Sequence, residues 1–407
     1  MRILFVSAID FKEKSIQVIR KTPEYYARKG AGVDYVVARD NLLTGNYFYE
    51  DEITPEGVDV HRVYWPFPKM RAYLPRYPSL ILTKLASLLV VMKLILKFGL
   101  ALKNNNYDVV YGYEIQGVIA VALMRKLGFV KNMKVVSRFQ GSFLNEMIEG
   151  RQYARLAFNF DALIAMKCKC DLMILTDDGT KANQAVEKIS PKAKYIFVPN
   201  GVDIPSENNL GECKLLAEKQ EGVLTFVSVS RLVGWKRVDR CLDLFKEIID
   251  SYGGEAEYWV LGDGEGRSEL EERASNLGLR NRVKFLGAVK QSDVFGLLAQ
   301  ADVFLSMYDH SNVGNPLFEA MRLNKLIVTL DNGDTGLWIR HGFNGFIYNP
   351  NNLKFNKISG DVLAAISNAE KHANILHNLK LTADEKLWTW DERLLFEFNE
   401  VTQLLHG

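Results

Sequence analysis

The hydrophobic positions of the chain come in two textures that alternate. Short runs are apolar at nearly every position: "RILFVSA", "VDYVVA", "YDVVYGY", "KVVSRF", "CDLMILT" and "KYIFVPNGVD". Between them lie longer segments, such as "GVIAVALMRKLG" and "GTKANQAVEKI", that read as helices. Strands apolar on both faces need cover on both, and alternation with helices supplies it in a parallel, doubly wound sheet. The rhythm lapses over residues 204–222, which carry Pro, Asn, Gly, Glu and Lys, and restarts with "VLTFVSVSRL". "AEYWVLGDG", "VKFLGAV", "ADVFLSM" and "KLIVTLDNG" follow. The pattern predicts an α/β chain of two doubly wound, Rossmann-like domains, 1–203 and 223–384, joined by a linker at 204–222. Open sheets of this kind bind ligands beyond the carboxyl ends of their strands, so a cleft faced by both domains is the expected site. The closing segment 385–407 contains "LWTWDERLLFEFNEVTQLL" and is expected to complete the first domain. It reads as an amphipathic helix with Leu395, Phe398, Val401, Leu404 and Leu405 on its core side.

One segment departs from this rhythm. "SLILTKLASLLVVMKLILKFGLALKNNN", Ser79–Asn106, is an apolar helix interrupted by Lys84, Lys93, Lys97 and Lys103. The stretch ahead of it, "WPFPKMRAYLPRYP", is rich in aromatic, proline and basic residues. No uninterrupted apolar run reaches the roughly 18 residues of a membrane span. The pattern fits either a long core helix with one lysine-bearing solvent stripe or a surface element facing an anionic membrane or a lipid-linked substrate. The opening "MRILFVSAID" reads as a buried first strand, its apolar run being too short for the h-region of a secretory signal.

Composition narrows the picture. A chain of 407 residues exceeds one ordinary core. With 48% hydrophobic and 25% charged residues it is globular, and a net charge of +2 argues against a nucleic-acid binder. Cys168, Cys170, Cys213 and Cys241 show neither zinc spacing nor a Cys-x-x-Cys pair. They fit reduced thiols in a cytoplasmic protein.

Three motifs carry candidate chemistry. In "SVSRLVGWKRVD", Arg231 and Lys236 flank the turn from a strand into a helix. Two cations beside a helix start suit a diphosphate, because the helix end adds unpaired backbone N–H groups to the side-chain charge. In "VLGDGEGRSELEERA", Gly262, Gly264 and Gly266 follow a strand, and they read as a tight strand-to-helix turn near a nucleotide. In "SNVGNPLFEAM", Gly314 and its neighbours let backbone approach a ligand, and Pro316 suits a first helical turn. The N–H groups of that turn can bind sugar or phosphate oxygens, and Glu319, one turn in, can accept bonds from paired ribose hydroxyls.

Taken together, "SRLVGWKRVD", "VLGDGEGRSELEERASNLGLRNRVKFLGAV", "SNVGNPLFEAM" and "GLWIRHGFNGFIY" resemble the second domain of GT-B glycosyltransferases of the retaining family 4. "VPNGVD" resembles that family's interdomain strand end, and "WTWDERL" its C-terminal crossing helix. The resemblance covers nearly the whole chain. It implies a GT-B architecture and a nucleotide-sugar donor, UDP- or GDP-linked, bound by the second domain. Arg231 and Lys236 would hold the diphosphate, Glu319 the ribose, and the backbone from Gly314 through Asn315 and Pro316 to Leu317 the sugar and β-phosphate. Ser311, Gly262 and Val289 would complete the donor contacts. No metal or other cofactor is expected, since such enzymes need no metal-binding Asp-x-Asp.

Three positions depart from the family pattern. Where many members carry the first of two glutamates separated by seven residues, this chain has Ser311, a neutral partner for a sugar hydroxyl. Where the first domain usually has His-Gly, it has Gln140-Gly141, and Gln140 can orient a hydroxyl but cannot take its proton. The first strand leads into no Gly-Gly loop, so Lys12, Lys14 or Ser15 would serve instead, while His310 stands ready near the donor motif. The expectation is therefore a retaining hexosyltransferase in polysaccharide or glycolipid synthesis, acting on a glycan or lipid-linked acceptor at the cytoplasmic face of a membrane. Its rivals are a catalytically degenerate nucleotide-sugar-binding subunit and a GT-B-type sugar-nucleotide epimerase.

Overall fold

The computed structural model describes residues 1–11, 17–42, 52–203 and 216–406. Lys12, Lys14, Ser15, Cys213 and most of the expected linker lie outside the described residues. The chain forms two units. The first comprises Met1–Asp177, Lys181–Val198 and Asp391–Gly407, and the second Asp178–Thr180 and Pro199–Trp390.

The first unit is built on β1 (Arg2–Ser7), β2 (Gly32–Arg39), β3 (Val58–Tyr64), β4 (Val109–Tyr113), β5 (Lys134–Phe139), β6 (Leu172–Asp177) and β7 (Tyr195–Pro199). Their spatial order is β3-β2-β1-β4-β5-β6-β7, and the pairs from β3 to β6 run parallel. The second sheet contains β8 (Leu224–Val229), β9 (Ala256–Leu261), β10 (Val283–Gly287), β11 (Val303–Ser306), β12 (Leu326–Leu330) and β13 (Phe346–Tyr348). It is parallel throughout, in the order β10-β9-β8-β11-β12-β13. Both orders run outward from the first strand and then reverse, which is the doubly wound arrangement. Each has a switch point where the order turns, between β1 and β4 and between β8 and β11. The apolar runs fill the cores: Ile3, Leu4, Val109 and Val110 are fully buried in the first unit, and Phe226, Val227, Leu305 and Val328 in the second.

Two strands escape the sequence pattern. β3 alternates Val58, Asp59, Val60, His61 and Arg62 because it is the edge of its sheet, and β13 spans only three residues. The closing helix, Trp390–His406, lies against the first unit from Asp391 onward, but turned relative to expectation. Leu395 is 43% exposed, and the inward face is Arg393, Leu394, Glu397 and Val401. The reason is an ion network. Arg138 on β5 and Arg393 both donate to the Glu397 carboxylate, and the Tyr111 hydroxyl on β4 donates to it at 2.5 Å. Burial opposes the charge on Glu397, yet the two guanidiniums hold its carboxyl below the ordinary range.

The lysine-interrupted segment is a helix, as its pattern predicts. It is one continuous helix, Arg76–Asn104, of 29 residues. By length and composition its portion Tyr77–Asn104 could cross a membrane. However, Ala86, Val90, Leu94 and Phe98 are fully buried in the first unit's core, so the helix lies along the sheet.

Candidate functional site

In the second unit the loops leaving β8 and β11 meet at the switch point. The β8 loop is set by the three glycines that follow β9. A Cβ on Gly262, whose φ is +139°, would lie 1.8 Å from the Ser230 carbonyl oxygen, and one on Gly264 2.4 Å from that of Leu232. Their absence lets the loops share hydrogen bonds: Ser230 N to Leu261 O at 3.0 Å, Leu232 N to Asp263 O at 3.0 Å, and Gly266 N to Leu232 O at 2.9 Å. Leu232 is fully buried between them, and Arg231 projects into solvent. The glycine run thus fixes the height at which Arg231 leaves the sheet.

A 3₁₀ turn, Gly234–Lys236, carries the second cation. The Lys236 ammonium lies 3.6 Å from the Tyr308 ring centroid and 4.2 Å from that of Trp235. This is an aromatic cage, favourable for a cation but poorer than water at solvating it. Burial, with repulsion from Arg231 added, lowers the Lys236 pKa to about 7 against the opposing pull of Asp178. The cage is braced from both sides. The Tyr308 hydroxyl donates to Val229 O at 3.1 Å, Asp309 N donates to Trp235 O at 2.9 Å, and the Asp309 carboxylate accepts from Arg237 and Arg240. His310 stands with its ring 5.7 Å from that of Trp235.

Beyond Tyr308 the β11 loop is held internally. Asn312 Oδ1 accepts from Tyr308 N at 3.1 Å, and its Nδ2 donates to Leu330 O at 3.2 Å. Ser311 Oγ accepts from Val313 N at 3.0 Å. Residues Asp178–Thr180 close over this loop: a Cβ on Gly179 would lie 2.0 Å from Ser311 Oγ, and Asp334 N donates to Gly179 O at 3.3 Å. That packing requires glycine at 179, opposite the Ser311 hydroxyl. The loop then enters helix Asn315–Arg322, with Pro316 in its first turn and Phe318 N bonded to Gly314 O at 3.1 Å. The Asn315 and Leu317 N–H groups precede the first intrahelical bond and point out of the helix start. Asn200, from the end of the "VPN" run, donates to Asn315 Oδ1 at 3.1 Å, and its own Oδ1 is buried without a partner. Glu319 sits in the second turn and is only 3% exposed. Val289 is buried in the cluster that contains Trp259, Leu317 and Phe318, so its side chain is committed to the core.

The remaining expected residue belongs to the first unit. Gln140 follows β5, half-buried, and its backbone N–H donates to Glu114 Oε1 at 2.7 Å. Glu114 follows β4 at that unit's switch point with φ +59°, a left-handed conformation costly for a non-glycine residue. The β4 turn leaves no slack, because a Cβ on Gly117 would lie 2.2 Å from Val6 O on β1.

Residues 217–380 match the model of the family described as glycosyl transferases group 1. The match falls within the second unit. Curated relatives include the lipopolysaccharide core biosynthesis glycosyltransferase LpsD of Rhizobium meliloti, 33% identical over 24% of this chain and 27% of that protein. The 2-deoxystreptamine N-acetyl-D-glucosaminyltransferase of Niallia circulans is 20% identical over 62% of this chain and 65% of that protein. The chain thus spans less than two thirds of the length of either relative. Among solved structures, Anabaena HepE in complex with UDP-glucose superposes with a TM-score of 0.68 over 98% of this chain and 100% of that one, at 18% identity. At that identity the likeness is one of fold, and it extends to both units.

Within the second unit, the cation loop meets the β11 loop through Lys236 and Tyr308. The sequence reading missed the cage residues Trp235 and Tyr308, the cover Asp178–Gly179, and Asn200 at the helix start. A signal for Asn200 existed in "VPNGVD", which was read only as a strand end. Tyr308 offered none, since one aromatic after a buried strand is ordinary. In the first unit Glu114 was missed as well, because a left-handed carboxylate cannot be told from a helix N-terminal one by sequence.

Proposed function

We propose that this chain is a retaining glycosyltransferase that moves a sugar from a UDP- or GDP-linked donor to a glycan or lipid-linked acceptor. One observation carries the reading: Lys236 and Arg231 stand on one short loop, set by glycines, and Lys236 packs on Tyr308 of the β11 loop, which leads into helix Asn315–Arg322. A diphosphate there meets two cations and the positive end of a helix. Developing charge on a leaving phosphate is met by groups already in place, which is where catalysis gains most. Burial lowers the Lys236 pKa to about 7, and an arriving diphosphate favours its charged form. No resident metal enters this reading, because the two cations take the neutralising role.

In the transfer step the anomeric C–O bond to the donor phosphate breaks, and a bond to the acceptor hydroxyl oxygen forms on the same face. The hydroxyl proton passes to the leaving phosphate, so the transfer needs no separate protein base. The fold shared with a UDP-glucose complex favours uridine as the base, and the polysaccharide and lipopolysaccharide enzymes among the relatives favour a glycan or glycolipid product. The free thiols of Cys168, Cys170 and Cys241 suit a reducing, cytoplasmic setting.

The test begins with thermal scanning against a panel of nucleotide sugars, since a ligand that binds only the folded state raises the melting point. With the donor so identified, Arg231→Ala and Lys236→Ala should each cut turnover roughly tenfold or more, about 1.4 kcal/mol per decade. Wild-type rates in both variants would remove the diphosphate assignment.

A further inference from the structure

The geometry points to the outer face of helix Arg76–Asn104 as a docking surface for an anionic lipid bilayer, with the helix lying flat in the headgroup layer. This inference does not depend on the sugar-transfer reading. It starts from a contrast between the helix's two sides. The inner side is committed to the core, as described above. On the outer side Ile81, Leu85, Leu88, Met92, Leu96 and Leu100 are between 50 and 70% exposed. Their spacing of three and four residues places them in one stripe about 28 Å long, at 1.5 Å of rise per residue. Such a continuous exposed apolar strip marks an interaction site. At the helix start, Tyr73 and Tyr77 are each more than three-quarters exposed, the position and residue type of an interfacial anchor.

Charge chooses the occupant. No Asp or Glu occurs anywhere from Pro66 to Tyr107, whereas that stretch holds Lys69, Lys84, Lys93, Lys97 and Lys103. By helical position Lys93 and Lys97 border the stripe on one side, Lys84 borders it on the other, and Lys103 closes its far end. Lys69, Lys93 and Lys103 are exposed. Lys84 pairs with Asp161 at 2.8 Å and lies 5.0 Å from the Phe158 ring centroid, so the apolar surface continues past that border onto a second, partly exposed aromatic. A second copy of the chain docked on this face would bring Lys93 and Lys97 against their counterparts, and the helix itself carries no Asp or Glu to answer them. A helix crossing the bilayer would have to leave the sheet that buries its other side. Anionic headgroups satisfy the lysines and acyl chains the stripe, as for other amphipathic helices that lie in the interface.

The experiment is flotation of the purified full chain with vesicles of phosphatidylcholine alone and of phosphatidylcholine mixed with phosphatidylglycerol, across a salt series. The chain should float with the anionic vesicles and lose binding as salt rises. Leu88→Gln/Met92→Gln/Leu96→Gln changes only exposed positions. It should keep the wild-type melting point and lower the vesicle partition coefficient about tenfold or more, since each buried methylene counts. Lys93→Glu/Lys97→Glu should lower it by a similar factor on anionic vesicles and leave neutral ones unaffected. Absence of flotation, flotation indifferent to both variants, or a dimer in light scattering that the glutamine variant dissolves would each overturn the proposal, the last in favour of a second copy.

Discussion

Gly262→Ala probes the loop that aims Arg231. The added Cβ would lie 1.8 Å from the Ser230 carbonyl oxygen and 2.8 Å from its carbon, far inside contact, and both neighbours are backbone. The residue must also keep φ +139°, a region reserved for glycine. That conformation costs a substituted residue about 1–3 kcal/mol. Forcing the Ser230–Leu232 backbone aside costs about 1–3 kcal/mol more by overpacking. The total, about 2–6 kcal/mol, lowers the melting temperature of a unit this size by roughly 5–20 °C. Gly234→Ala is the matched control: it lies in the same loop, and a Cβ there meets nothing within 4 Å. Circular dichroism melts of the three proteins, with and without UDP, provide the assay. Gly262→Ala should melt early and show little protection by UDP, while Gly234→Ala tracks wild type. If Gly262→Ala melts with wild type and is protected equally, the loop is not set by the glycine and the account of Arg231 fails.

Two further predictions rest on charge. Lys236 titrates near pH 7 in the free protein, below an ordinary lysine, so its cation is lost as pH rises through that value. The donor kcat/KM should then fall about tenfold per unit above pH 7, and Lys236→Arg should flatten that limb because arginine stays charged; a wild-type profile level to pH 9 contradicts the cage. In the first unit, Glu397→Gln leaves Arg138 and Arg393 buried without their counter-charge, at a cost of about 3–5 kcal/mol. Urea unfolding reads it, and an unchanged midpoint would show that the network contributes little. Because the Glu397 carboxyl is held low, its contribution in wild type is present above the ordinary carboxylate range and lost only as pH falls through the depressed value.

Buried parallel strands announce themselves, since a run like "LMILT" has few other uses, and the doubly wound sheets followed from them. The turns at Gly262 and Pro316 were legible as well, because their backbone demands are local. What stayed hidden depends on contacts between distant segments. The Lys236 cage needs Tyr308, and Gly179 has no side chain because Ser311 packs on it. β3 was passed over because an edge strand alternates polar and apolar residues instead of running apolar. Leu395 was placed inward by a rule that assigns buried faces to apolar residues, and a buried Arg393–Glu397 pair breaks that rule.

The discontinuity of the first unit sets the order of its synthesis. Seven strands are complete by Pro199, yet Arg138 acquires its carboxylate only when residues 391–406 have been made. Until then a nascent chain holds a cation in its sheet with nothing to neutralise it. The whole second unit must leave the ribosome before that charge is met. The amino-terminal sheet should therefore mature after the domain that follows it, reversing the usual sequence of vectorial folding.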